Sequence, residues 1–190
     1  VTGGPRPEEI EVKIPAADLD AIRRRLQEKG ATLTRERHDE SNDLYDHADG
    51  RLSNGGCALR LRRTAGESRL TFKGPARFEQ GIKTREERET SVGNAEETEA
   101  ILLRLGFVRR FRYEKRREEW LLFGCAVALD ETPIGNFVEV EGDPVGIRKA
   151  VVALELDFAS AIPYSYAHLY ALKRKEEPAR SPDMTFPTMP

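Results

Sequence analysis

The chain has 190 residues, enough for one domain with a short extension, and 34% of them are charged against 38% hydrophobic, a richer charge content than the roughly 25% of an average soluble protein. Lys and Arg number 31 and Asp and Glu 33, for a net charge of −2, which argues against a nucleic-acid partner held by bulk positive charge. No window approaches the roughly 18 apolar residues of a membrane span and no signal-type apolar segment precedes the first charges, so no membrane partner and a cytoplasmic location are expected.

In chain order, residues 1–7 carry Gly and Pro and are expected to be a disordered start. Glu8 to Ile14 alternates strictly, Ile10, Val12 and Ile14 on one face and Glu9, Glu11 and Lys13 on the other, the period of a strand that Pro15 should end. Leu19, Ile22 and Leu26 then recur at helical spacing before Gly30, predicting a helix over about 16–29. From 31 to 91 the chain reads as strands and turns: a short extended run at Leu44–Tyr45, a turn at Asp49–Gly50, Ala58–Arg63, a turn near Gly66, Leu70–Lys73, a break at Gly74–Pro75 and a polar run over 82–91. Asn94, with Glu97 three residues on, opens a second helix that Gly106 closes. Phe111–Phe123, Ala126–Asp130 and Phe137–Glu141 read as strands, the last entered through a turn at Pro133–Ile134–Gly135. Asp143–Pro144 opens a third helix to about Leu154, and Ser165 a last one to near Lys175. Residues 176–190 hold four prolines without periodicity and read as a tail, mobile unless docked. Cys57 and Cys125 form no close pair and read as reduced thiols.

The polar faces of these strands are ionic. Glu9, Glu11 and Lys13 recur with Arg60 and Arg62, Lys73, Arg85 with Glu87 and Glu89, Lys115 and Arg117, Asp130, and Glu139 with Glu141. Like charges two apart on a strand lie about 7 Å apart on one side and repel unless a ligand of opposite sign sits between them. Each face alone reads as the wet side of an open sheet. Taken together they suggest an α+β fold in which an antiparallel sheet closes into a β-barrel, turns its ionic face inward and packs helices on its outer apolar face. Glu9, Glu11, Asp130, Glu139 and Glu141 offer hard oxygen ligands without a His or Cys cluster, favouring Mg²⁺ or Mn²⁺. Lys13, Arg60, Arg62, Lys73, Arg85, Lys115 and Arg117 offer a polyanion site, with forked guanidinium groups matching phosphate oxygens. A linear triphosphate with metal would neutralise both sets.

These residues carry a family resemblance. Glu9-Ile-Glu11-Val-Lys13 resembles the E-x-E-x-K signature of the CYTH superfamily, the triphosphate tunnel metalloenzymes. Leu59–Arg62, Leu70–Pro75, Arg85–Glu89, Lys115–Arg117, Leu129–Asp130 and Phe137–Glu141 follow in the family's order, over about residues 8–175. The resemblance implies an eight-stranded β-tunnel that binds a triphosphate-containing small molecule with one or two divalent ions. Within it, Glu9, Glu11 and Lys13 would be catalytic, Asp130 a metal ligand, and Lys115 and Arg117 phosphate ligands. The spacing is most similar to the class IV adenylyl cyclase-like branch, in which Asp43 and Tyr45 match a Q-x-D-x-Y element whose Gln position is held by Ser41.

The function expected first is metal-dependent hydrolysis of tripolyphosphate or a nucleoside or organic triphosphate. The alternatives are conversion of ATP to cyclic AMP and pyrophosphate, and non-catalytic binding of polyphosphate or nucleotide. Glu87 and Glu89 equally suit structural partners of tunnel arginines, and Tyr45 either a base contact or packing. His38, His47 and His168 read as surface residues, and Trp120, Phe107 and Phe111 as outer-wall packing. Lys173–Lys175 suit either a tunnel mouth or a helix C-terminus. A homodimer is left open.

Overall fold

The computed structural model describes residues 8–187; the expectation for 1–7 and the last three residues of the tail lie outside them. Nine strands and five helices follow in order: β1 (Glu8–Ala16), α1 (Leu19–Glu28), β2 (Thr32–His47), α2 (Arg51–Asn54), β3 (Ala58–Thr64), β4 (Glu67–Lys73), β5 (Arg77–Glu79), β6 (Ile82–Val92), α3 (Ala95–Arg104), β7 (Phe107–Leu122), β8 (Cys125–Thr132), β9 (Gly135–Glu141), α4 (Pro144–Ala153) and α5 (Tyr166–Glu176). Eight strands run in the order β1-β9-β8-β7-β2-β3-β4-β6 and close when β6 pairs back onto β1, from Glu8↔Glu86 to Glu11↔Lys83; β5 adds to β6 outside the ring. Every pairing between strands is antiparallel. The expected eight-stranded barrel is therefore the fold.

Period-two alternation puts the apolar residues outside. Val12, Ile14, Val127, Leu129, Val138 and Val140 form a core with Leu19, Ile22 and Leu26 of α1 and Ile147, Ala150 and Val151 of α4. Each such side chain contributes about 1.5–3 kcal/mol on burial, so the hydrocarbon core lies between barrel and helices. A smaller cluster of Tyr45, Leu61, Ala95 and Leu102 seats α3 on the opposite wall. The caps are those the sequence predicts: Asn94 accepts from the Glu97 amide, Asp143 from Val145 and Gly146, and Ser165 from His168. Gly146 permits the close seat of α4, since a Cβ there would lie 2.7 Å from Cys125 Sγ.

Several segments differ from expectation. Pro15 does not end β1, which runs to Ala16. Pairing with β6 stops at Glu11 and the Lys13 carbonyl accepts from Ile162 instead, so the N–H that Pro15 lacks falls on an edge that no strand covers. β2 is a sixteen-residue strand where only Leu44–Tyr45 stood out, and β7 begins four residues earlier than expected. The turn after Asp49–Gly50 holds the short α2, fixed by Asp46, whose carboxylate accepts from the Leu52 and Ser53 amides. The last segment is docked: Met184 is fully buried, its amide donates to the Arg112 carbonyl and its carbonyl accepts from Glu114, along the stretch of β7 before β8 joins at Arg116.

Candidate functional site

The ionic face lines a cavity of about 840 Å³ through the barrel. Among the described residues, ten Lys and Arg and seven Glu side chains line it, and every predicted substrate-binding residue is included: Lys13, Arg60, Arg62, Lys73, Arg85, Lys115 and Arg117. Glu9, Glu11, Glu87, Glu89, Glu139 and Glu141 line it as well. The excess of cations favours a polyanion.

Glu9 and Glu11 stand two residues apart on β1, and Glu11 is the register partner of Glu141 on β9. Lys73 Nζ bridges Glu9 (2.7 Å) and Glu87 (2.6 Å), while Lys83 pairs with Glu11. Glu9 Oε2 is buried without a hydrogen-bond partner. Glu141 lies at the exposed end of its strand, yet lost hydration and repulsion from Glu9, Glu11 and Glu87 push its pKa up to about 7. Negative charge is thus under-compensated at Glu141. No three acidic, His or Cys side chains among the described residues form a ready metal cage, and lysines pair with Glu9 and Glu11. The orphaned oxygen, the crowded carboxylates and the all-oxygen donor set nevertheless fit a hard divalent ion.

Arginines crowd the opposite wall. Arg60 donates to Thr71 Oγ1 (3.1 Å) and Glu89 (3.4 Å), and Arg62 to Asn42 Oδ1 (3.1 Å). Burial and the neighbouring Arg60 pull the Arg62 pKa down, against the pull of Glu40, so an anion between these groups would relieve both costs. Arg117 spans Asp130 and Glu139, and Lys13 contacts Glu139 at 3.2 Å. Burial works against the Glu139 carboxylate, but Lys13, Arg117 and Lys115 outweigh it and hold its pKa well below the usual range. Arg85 is turned onto the Gly74 carbonyl (2.7 and 3.0 Å).

Two expected residues lie away from the lining. Asp130 is fully buried behind it, its oxygens accepting from Arg117, Lys115 (3.0 Å) and the Tyr166 hydroxyl (2.6 Å). Tyr45 points to the outer wall, where its hydroxyl donates to Glu99 of α3 (2.7 Å). Asp43 shares that outer side and holds Arg63 and Arg112. Trp120 packs in the α1 core and Phe107 beside α3, as expected. Phe111 packs against Tyr113 and Tyr170. His168 is exposed, as expected, and also lines the cavity, whereas Lys173, Arg174 and Lys175 do not.

Sequence reasoning missed Lys83, Glu40 and Glu119. Lys83 shares the parity of Arg85, Glu87 and Glu89, and that alternation was the available signal. Glu40 is fully buried, 3.3 Å from Arg62 and 3.5 Å from Lys115. Burial raises its pKa, yet Lys115, His38 and the two arginines, Arg117 and Arg62, hold it well below normal.

Among known proteins, a family model described as the CYTH domain matches residues 7–149. No curated protein matches the sequence significantly. A solved structure of a candidate adenylate cyclase from Vibrio parahaemolyticus has a TM-score of 0.76 at 20% identity, over 88% of this chain and 99% of that one. A Pyrococcus horikoshii protein is 30% identical, with a TM-score of 0.71 over 87% of this chain and 99% of its own. A candidate adenylyl cyclase from Hippeastrum, described as having a dominant triphosphatase activity, has a TM-score of 0.64 at 20% identity over 88% and 96%.

Proposed function

The chain belongs to the CYTH family, and on that premise we propose that it hydrolyses a triphosphate with the help of a divalent ion. The family comprises tunnel proteins that bind triphosphates, includes triphosphatases and adenylyl cyclases, and typically uses divalent metals. The observation that carries the reading is that one lining holds both a carboxylate crowded by its like, Glu141 beside Glu9 and Glu11, and a guanidinium crowded by its like, Arg62 beside Arg60, with Lys115 and Arg117 in the same cavity.

In this reading Glu9, Glu11 and Glu141, with Glu139 beside them, would hold Mg²⁺ or Mn²⁺. A divalent ion bound there supplies positive charge against phosphate oxygens and activates water as nucleophile. The chain's own part is positioning. Arg60, Arg62 and Arg117 offer forks to the phosphate oxygens, and Lys13, Lys73, Lys83 and Lys115 add point charges. Asp130 and Glu40 keep Arg117, Lys115 and Arg62 in place before substrate arrives, so little reorganisation is needed when charge builds on the phosphate chain. One phosphoanhydride bond breaks, water adding to phosphorus and the bridging oxygen leaving with the other phosphate.

Hydrolysis is favoured over cyclisation because Ser41 replaces the Gln of the cyclase-like branch, and Asp43 and Tyr45 of the same element face the outer wall. Incubation with ATP or tripolyphosphate and Mn²⁺, followed by separation of cyclic AMP, ADP and phosphate, tests this. ADP and phosphate are expected from ATP; predominant cyclic AMP overturns the reading.

A further inference from the structure

We infer that Tyr164, backed by His168, is a stacking platform for a flat heteroaromatic head group, so that the tunnel takes an organic triphosphate such as a nucleoside triphosphate in preference to bare tripolyphosphate. The inference rests on the triphosphate reading above and names the part of the substrate that the ionic lining does not address.

The rings of Tyr164 and His168 are almost parallel, 6° apart with centroids at 4.4 Å, and both residues line the cavity. The backbone beneath both rings is anchored. The His168 amide donates to Ser165 Oγ at the first turn of α5, and the Tyr164 carbonyl accepts from Lys13 Nζ at 3.2 Å. That second bond ties the Tyr164 backbone to the cationic row. Packing does not account for Tyr164: Tyr113, Phe137, Tyr166 and Tyr170 form a buried aromatic cluster that excludes it, and it remains 42% exposed. The lip around it, Pro163 to His168, contributes no Lys, Arg, Asp or Glu to an otherwise ionic lining, a setting suited to a neutral ring. The cavity volume of about 840 Å³ also lies high in the range for small-molecule pockets, roughly 300–1,000 Å³, which leaves room beyond a phosphate chain. An aromatic face stacks on any planar base with little dependence on its identity.

The test compares ATP with tripolyphosphate as substrates, and β,γ-imido-ATP with imidotriphosphate as non-hydrolysed ligands, for the full chain and for Tyr164→Ala and Tyr164→Phe. In Tyr164→Ala the ratio of ATP to tripolyphosphate kcat/KM should fall about tenfold, with a parallel fall in the ratio of analogue affinities. Tyr164→Phe, which keeps the ring, should hold both ratios near those of the parent. Equal losses for both ligands, or no loss for either, overturn the platform while leaving the hydrolase reading intact. If neither substrate turns over but the analogue ratio still falls in Tyr164→Ala, the hydrolase reading fails and the platform stands. Failure of the parent chain to bind β,γ-imido-ATP overturns the platform outright.

Discussion

Glu40 touches no part of the cavity surface, yet it stands 3.3 Å from Arg62 and 3.5 Å from Lys115, both of which do. Neither of its oxygens accepts a well-directed hydrogen bond, so its role there is electrostatic. Removing one charge from a buried set leaves its partners under-compensated. Glu40→Gln should therefore destabilise the protein by about 3 kcal/mol near neutral pH, measured by denaturant unfolding. The pH dependence has a definite sign. The folded-state pKa of Glu40 is depressed, so its contribution is complete above the unfolded carboxylate range and is lost as pH falls through the depressed value. The gap between parent and variant should close as the medium is acidified; a gap that persists unchanged in acid would contradict the charge argument. Glu9, Glu11 and Lys13 were legible because apolar residues alternate with them. Glu40 was not, since Asp39, Glu40, Ser41, Asn42 and Asp43 are polar on both parities and only pairing with β7 distinguishes the inner ones.

Among the elements, β2 and the C-terminal segment depart furthest from what periodicity predicts, for related reasons. β2 lacks an apolar face over most of its length because its outer side also carries charge, matched on other strands: Arg37 with Glu131, Asp39 with Arg116, Asp43 with Arg112. The C-terminal segment has no periodicity of its own because backbone bonds to β7 and one buried side chain hold it. Asp183 adds bonds to the Arg112 amide and the Arg109 guanidinium, and the Tyr170 hydroxyl of α5 donates to the Ser181 and Asp183 carbonyls. The segment thereby braces the helix whose Tyr166 reaches Asp130 behind the tunnel wall. Met184→Ala should cost about 2–5 kcal/mol, the usual range for emptying a fully buried Met site, read as a lowered denaturation midpoint. A change within experimental error would mean that the segment is merely resting on the barrel. α1 was legible from its apolar stripe and Gly30, α3 from a capping side chain with apolar residues behind it, and α4 and α5 from the caps Asp143 and Ser165.

At the scale of the whole molecule, the closed ring turns a charge-rich sequence into a stable one by moving its hydrocarbon core outward, between strands and helices, and giving the centre to paired ions. Closure also explains why the ionic faces could be assigned from sequence while their partners could not. Alternation gives the side of the sheet, but the meeting of Lys73 with Glu9 across 64 residues, or of Lys83 with Glu11, depends on β6 pairing with β1. The same closure brings cation-seeking carboxylates and anion-seeking arginines to one cavity, so their ligands should bind cooperatively. Calorimetric titration with imidotriphosphate, with and without Mn²⁺, on the parent chain and on Glu9→Gln/Glu11→Gln tests this most directly. Mn²⁺ should tighten binding to the parent by about tenfold or more, corresponding to about 1.4 kcal/mol of coupling, and should have little effect on the double variant. Affinity in the parent that does not respond to Mn²⁺, or a Mn²⁺ response that survives loss of both carboxylates, would contradict the account.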